Sequence, residues 1–172
     1  MLCVKWHPTV ADSRYTRPES TGRTADVKFS ARVSYGLRAA MILAERYGGR
    51  PVLGKDISEA ESLPPAYLEQ IMASLRRADL VGGTRGARGG YVLTRSPEDV
   101  TLSELIVALE GPIALSECPG GASCCASPET CSVREVFAQA EDALHEVFDN
   151  RTLADIVVRR ETLREHSAMY HI

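Results

Sequence analysis

The run LVGGTRGARGGYVLTR, residues 80–95, constrains the fold of this chain more than any other stretch. Apolar Leu80-Val81 and Tyr91-Val92-Leu93 flank a segment with five glycines and two arginines, a pattern that predicts a β-hairpin with a basic, flexible tip. The residues before it read as helices. Phe29, Val33, Leu37, Ala40, Met41 and Ala44 recur at three- and four-residue spacing, giving an amphipathic helix that stops at Gly48-Gly49. After Pro51-Val52-Leu53, KDISEAES forms a second, short helix, and the turn at Leu63-Pro64-Pro65 opens a third that carries Leu68, Ile71, Met72 and Leu75. Two short helices joined by a tight turn make a helix-turn-helix. With the hairpin behind them, the expected fold is mainly α with a small β-hairpin wing: a winged helix-turn-helix over residues 27–100.

The C-terminal half announces its helices by their starts. Thr101-Leu-Ser-Glu104, Ser132-Val-Arg-Glu135 and Thr152-Leu-Ala-Asp155 each have capping-box form, in which hydroxyl and carboxylate satisfy orphan amides reciprocally. The helix expected from 132 carries Val133, Val136, Phe137, Ala140, Ala143, Leu144, Val147 and Phe148, two apolar residues per turn. So long a stripe wants a partner, and in a small domain a second subunit is a natural one. Residues 101–165 are therefore read as a cysteine loop plus long C-terminal dimerisation helices, and 166–172 as a tail. Residues 1–26 lack helical or strand periodicity and are rich in Thr, Ser, Arg and Pro, which predicts a disordered extension. Val27 stands where a translation start would be natural, since a GUG initiation codon would also be written as Val, so that extension is expected to be absent from the native chain.

Charge divides along the same line. Residues 27–100 hold eleven Lys and Arg against eight Asp and Glu, whereas 101–172 hold five against twelve. Only the first half is suited to face a polyanion. No apolar run approaches the ~20 residues needed to span a bilayer, and a cytoplasmic protein without a membrane partner is expected.

In a helix-turn-helix the second helix enters the major groove with its N-terminal residues near base edges. Here those include Ala66, Tyr67, Glu69 and Gln70. A carboxylate at Glu69 could accept from a cytosine amino group, discriminating between bases rather than attracting phosphates. Affinity would come from Arg76, Arg77, Arg85 and Arg88, the last two on the wing, where an arginine can enter a narrow minor groove. The plainer alternative is that these are solvated charges and the glycines merely close a hairpin.

ECPGGASCCASPETCS, residues 117–132, places Cys118, Cys124, Cys125 and Cys131 in one Gly/Pro-rich loop. Clustered cysteines in a cytoplasmic protein point to metal or redox chemistry rather than disulfides. Zinc sites usually bring cysteines as C-x(2)-C pairs, and none exists here. Wider spacing suits an iron-sulfur cluster, around which a loop can wrap while thiolates reach different irons. Adjacent Cys124 and Cys125 cannot easily both ligate, so three ligands and a fourth from elsewhere is the simplest count. Zinc and ligand-free thiols remain the alternatives. An enzyme using Cys124-Cys125 as a dithiol would need a catalytic base, a substrate motif and a C-x-x-C, none of which is visible; no catalytic residue is assigned.

The segments KFSARVSYGLRAAMILA, PPAYLEQIMASLRRADLVGGTRGARGGYVLTR and LSELIVALEG, with the cysteine loop running into CSVREVF, resemble the cluster-sensing winged-helix transcription regulators that include the IscR, NsrR and RirA proteins. The resemblance spans about residues 28–150. It implies a homodimer on a partly palindromic DNA operator, most simply as a repressor, with the long helices crossing between subunits. It further implies Glu69 as a base-discriminating residue and Arg85 as a wing arginine. The ligands it implies are Cys118, Cys131 and one of Cys124 or Cys125, holding a 2Fe-2S cluster, with 4Fe-4S the alternative.

The chain departs from that pattern at the fourth ligand. A histidine found in some members three residues past the last cysteine is Arg134 here, and an acidic residue found in others on the first helix is Ser34. The spare cysteine, Glu117, Glu129 or a small thiol or water is left to complete the shell, with His145 a remote candidate. His7, His166 and His171 are expected to be solvated. The CymR branch of the same family works without a cluster, its DNA binding modulated by a protein partner, and is the main alternative.

Overall fold

The helix expected from Phe29 forms as α1, Ala31–Glu45, in the computed structural model, which describes residues 29–84, 89–115 and 131–169 and side chains as far as 166. Its buried face is Val33, Gly36, Ala39, Ala40, Ile42 and Leu43. Leu37, Met41 and Ala44 lie at the margin, and Phe29 precedes the helix, 41% exposed. The apolar phase differs from the sequence expectation because α1 is covered from several sides, so small residues face the tightest contacts. At Gly36 a Cβ would stand 2.4 Å from Leu109 Cδ1.

Two short helices follow: α2, Gly54–Ala60, and α3, Pro65–Arg77. Ser62 closes α2 at φ 52°, with its own amide donating to the Glu59 carbonyl and the Leu63 amide to that of Ser58. This left-handed residue, usually glycine, makes the tight turn of the helix-turn-helix. Pro65 at the first position of α3 gives up no needed donor, and Arg76 and Arg77 suit the negative C-terminal end. Leu68, Ile71, Met72 and Leu75 are all buried, as their spacing predicts. Asp79, φ 56°, reverses the chain into the hairpin.

Strands β1, Val81–Thr84, and β2, Gly90–Leu93, pair antiparallel with Val81 opposite Leu93 and Gly83 opposite Tyr91. The link before α2 joins them through a bridge between Val52 and Tyr91, whose amides and carbonyls exchange bonds of 2.9 and 2.8 Å. At Gly90 a Cβ would lie 2.4 Å from the Val52 carbonyl oxygen, so only glycine fits beneath that bridge.

A short turn, Pro97–Asp99, leads to α4, Leu102–Glu110, whose Leu105, Ile106 and Leu109 enter the same core as α1 and α3. The expected capping box is present at Thr101 and Glu104. The one at Thr152 and Asp155 also forms, by reciprocal bonds of 3.2 and 2.9 Å. The third does not. Helix α5, Ser132–Asp149, begins one residue early: Cys131 is its N-cap, without a side-chain cap bond, and Ser132 lies inside the first turn. The shift leaves Glu135 one place too far along to reach back.

Helix α6, Leu153–Met169, continues past 165, and its first residue is fully buried in the core. Arg160 and Arg164 of α6 pair with Glu45 of α1 at 3.4 and 3.7 Å. By contrast α5 has no buried residue: Val133, Val136 and Val147 are 57–64% exposed. No described helix is long and apolar enough to cross a membrane.

Candidate nucleic-acid interface

Burying Leu68, Ile71, Met72 and Leu75 turns the opposite side of α3 outward, and Ala66, Glu69 and Gln70 are exposed on it. Tyr67 is half-buried instead, its ring meeting that of Tyr35 edge-on at 6.2 Å. Tyr35 in turn carries the Arg38 guanidinium 4.7 Å above its face, and Arg38 pairs with Glu61 at 3.2 Å. This chain of contacts fixes α3 against α1 and the end of α2.

Glu69 is held from the wing side. The Tyr91 hydroxyl donates to Glu69 Oε2 at 2.9 Å. Burial, reinforced by the hydrogen bond and charge of Glu69, pushes the Tyr91 phenol up to about 12, with Arg76 pulling the other way. The phenol therefore stays a donor throughout the physiological range. Arg76 lies along β1, its guanidinium carbon 3.7 Å from where a Cβ of Gly83 would stand.

Arg77 donates to the Ser74 hydroxyl at 2.6 Å, and Arg32, from the first turn of α1, donates to the same oxygen. Arg32 was missed by the sequence reading, being 42 residues from Ser74 on a helix considered only for its apolar face. Among the described residues neither arginine has a carboxylate partner, and the buried Arg32 Nε has no hydrogen-bond partner. Two cations thus share one hydroxyl where α1 meets α3. Arg85 and Arg88 lie outside the described residues.

So do Cys118, Cys124 and Cys125. Cys131 is half-buried at the start of α5, its carbonyl accepting from the Glu135 amide at 3.2 Å. The chain enters the cysteine segment from Leu115, whose amide donates to Glu141 Oε1 of α5 at 2.7 Å. Ten residues of helix, about 15 Å, separate that anchor from Cys131. Among the described residues no group of three or more His, Cys, Asp or Glu is placed to hold a metal ion. Ser34 and Arg134 are exposed and His145 half-buried. His166 sits within α6, its Nδ1 bonded to the Thr162 carbonyl at 2.9 Å.

The model of the Rrf2 family, described as iron-dependent transcriptional regulators, matches residues 29–159. The chain belongs to the Rrf2 family. This Rrf2 regulator is 38% identical over 130 residues to the helix-turn-helix transcriptional regulator CymR of Bacillus subtilis, a match covering 76% of this chain and 89% of that one. Its fold is similar to that of CymR (YrzC), the global cysteine regulator of B. subtilis, with TM-score 0.67 and 36% identity over 78% of this chain and 98% of that chain. It is similar to T. potens IscR as well, with TM-score 0.65 and 34% identity over 80% and 90%. These Rrf2 relatives carry the winged-helix architecture described above. The protein is a helix-turn-helix transcriptional regulator, as its relatives are named.

Proposed function

We propose that this regulator binds a duplex DNA operator as a homodimer and that an iron-sulfur cluster on its cysteine segment controls the binding. Glu69, with Ala66, Tyr67 and Gln70, would face base edges, while Arg76, Arg77, Arg85 and Arg88 would meet phosphates and the minor groove. Such a protein works where its operator is, in the cytoplasm. The exposed apolar residues of α5 support pairing with a second copy.

The observation that carries the cluster is the four-cysteine segment, which starts where Glu141 holds Leu115 and ends at the N-cap of α5. The donor chemistry fits: Cys118, Cys131 and one or both of Cys124 and Cys125 would hold the group, and Cys131 stands where the helix dipole favours a negatively charged ligand. When bound, a cluster supplies a centre whose occupancy or integrity responds to iron, oxidants or nitric oxide. The chain's part is mechanical. Closing the segment would fix the first turn of α5 and so the spacing between two recognition helices, a differential contact of the kind any switch requires.

Anaerobic purification tests this directly: the protein should be brown and contain iron and acid-labile sulfide, and Cys131→Ala should lose the colour. Colourless, iron-free protein after reconstitution would overturn the cluster, and stoichiometric zinc would replace it with a zinc site. A second reading rests on the 38% identity to CymR: a cluster-free regulator modulated by a protein partner. Gel shifts on the upstream region, with and without cluster, separate the two.

A further inference from the structure

The hydrogen bond between Tyr91 and Glu69 joins two parts of the molecule that sequence treats separately, the wing strand and the helix proposed to read DNA. Glu69 is exposed on the outward side of α3, and a glutamate there would ordinarily sample several rotamers. Tyr91 is not free in the same way. It is 9% exposed, its backbone is bonded on both sides to Val52, and its cross-strand partner is Gly83. Gly54, at the start of α2, leaves room for the ring: a Cβ there would lie 3.3 Å from Tyr91 Cε2 and 4.0 Å from Glu69 Oε1. The donor is thus fixed by β2, the Val52 link and α2 together, and it occupies one carboxylate oxygen.

We propose that Tyr91 is a specificity-positioning residue, locking Glu69 through Oε2 so that Oε1 is presented in one orientation to a base amino group. Tyr91 itself touches no base; it sets the geometry of the residue that does. Because the donor belongs to the wing strand, wing placement and base selection are mechanically one event. The phenol keeps its proton across the physiological range, so the lock does not switch with pH. A carboxylate without the lock would still repel phosphates and still accept hydrogen bonds, but from several orientations and hence from more than one base context.

This inference rests on the reading of α3 as the groove helix, and the test separates the two. A randomised duplex pool is selected with the full-length protein, and affinities are measured for the selected site and its single-base variants with wild type, Tyr91→Phe, Glu69→Ala and the double variant. Phe keeps the buried ring, and urea unfolding checks that the fold is retained. Tyr91→Phe should lower discrimination at the base pair sensitive to Glu69→Ala by about five- to ten-fold, the scale of one hydrogen bond. Affinity averaged over the other positions should change little, and Tyr91→Phe should add nothing in the Glu69→Ala background. A uniform loss of affinity at all sites with discrimination intact would make Tyr91 merely structural and overturn the proposal. So would an additive effect in the double variant. If wild type enriches no sequence at all, the groove-helix reading itself fails.

Discussion

The Leu115 amide and the Glu141 carboxylate, 2.7 Å apart, tie the entrance of the cysteine segment to the middle of the helix at whose start that segment ends. Glu141→Ala should release this anchor. Hydrogen exchange at the Leu115 amide is expected to quicken by about ten-fold or more, as for loss of a bond to a charged acceptor. Core amides such as those of Ile71 and Leu75 should be unaffected, which mass spectrometry of exchanged peptides would check.

The capping box of α4 makes a separable stability prediction. Thr101→Ala should cost about 1 kcal/mol in urea unfolding at neutral pH. Burial by itself raises the Glu104 carboxyl, but the Thr101 amide, Arg95 and the Thr101 hydroxyl outweigh it and hold the group below its ordinary 4.5. A depressed carboxyl stabilises fully above the unfolded value and loses that contribution as pH falls through the folded one. Wild type should therefore weaken as pH drops below 4.5, and Glu104→Gln should show a shallower decline over the same window.

Exposed valines on α5 make the assembly testable without disturbing the core. Val136 is 64% exposed, and no residue of α5 is buried in the single chain. Val136→Glu should move the protein from dimer to monomer in sedimentation velocity while preserving its helical circular dichroism. A persistent dimer would place the interface elsewhere.

What was legible in the sequence was local. The inward set of α3 follows from three- and four-residue spacing, and the hairpin from glycines between apolar ends. The caps at Thr101 and Thr152 depend on residues three apart. Where local spacing met more than one packing partner it lost phase: α1 buries Gly36, Ala39 and Leu43, while Leu37 and Met41 stay at the edge. Full burial of Leu153 has no local signal, since it depends on α6 arriving at the core beside Val100, whose carbonyl takes the Leu153 amide at 2.8 Å. The site shows the same limit. Glu69 could be singled out by its place on a helix, but its partner Tyr91 is 22 residues away, and the Arg32 link to Ser74 spans 42.

The absence of any buried residue on α5 has an evolutionary consequence. In most small domains the side chains that choose a mate also hold up the fold, so a change of mate risks unfolding. On the pairing proposed for α5, the two duties would fall on different residues. Substitutions at the exposed Val133, Val136 and Val147 can drift without loss of the core, and if α5 pairs the subunits as proposed, duplicated copies of such a gene could become mutually exclusive in pairing while their DNA-reading halves stay the same.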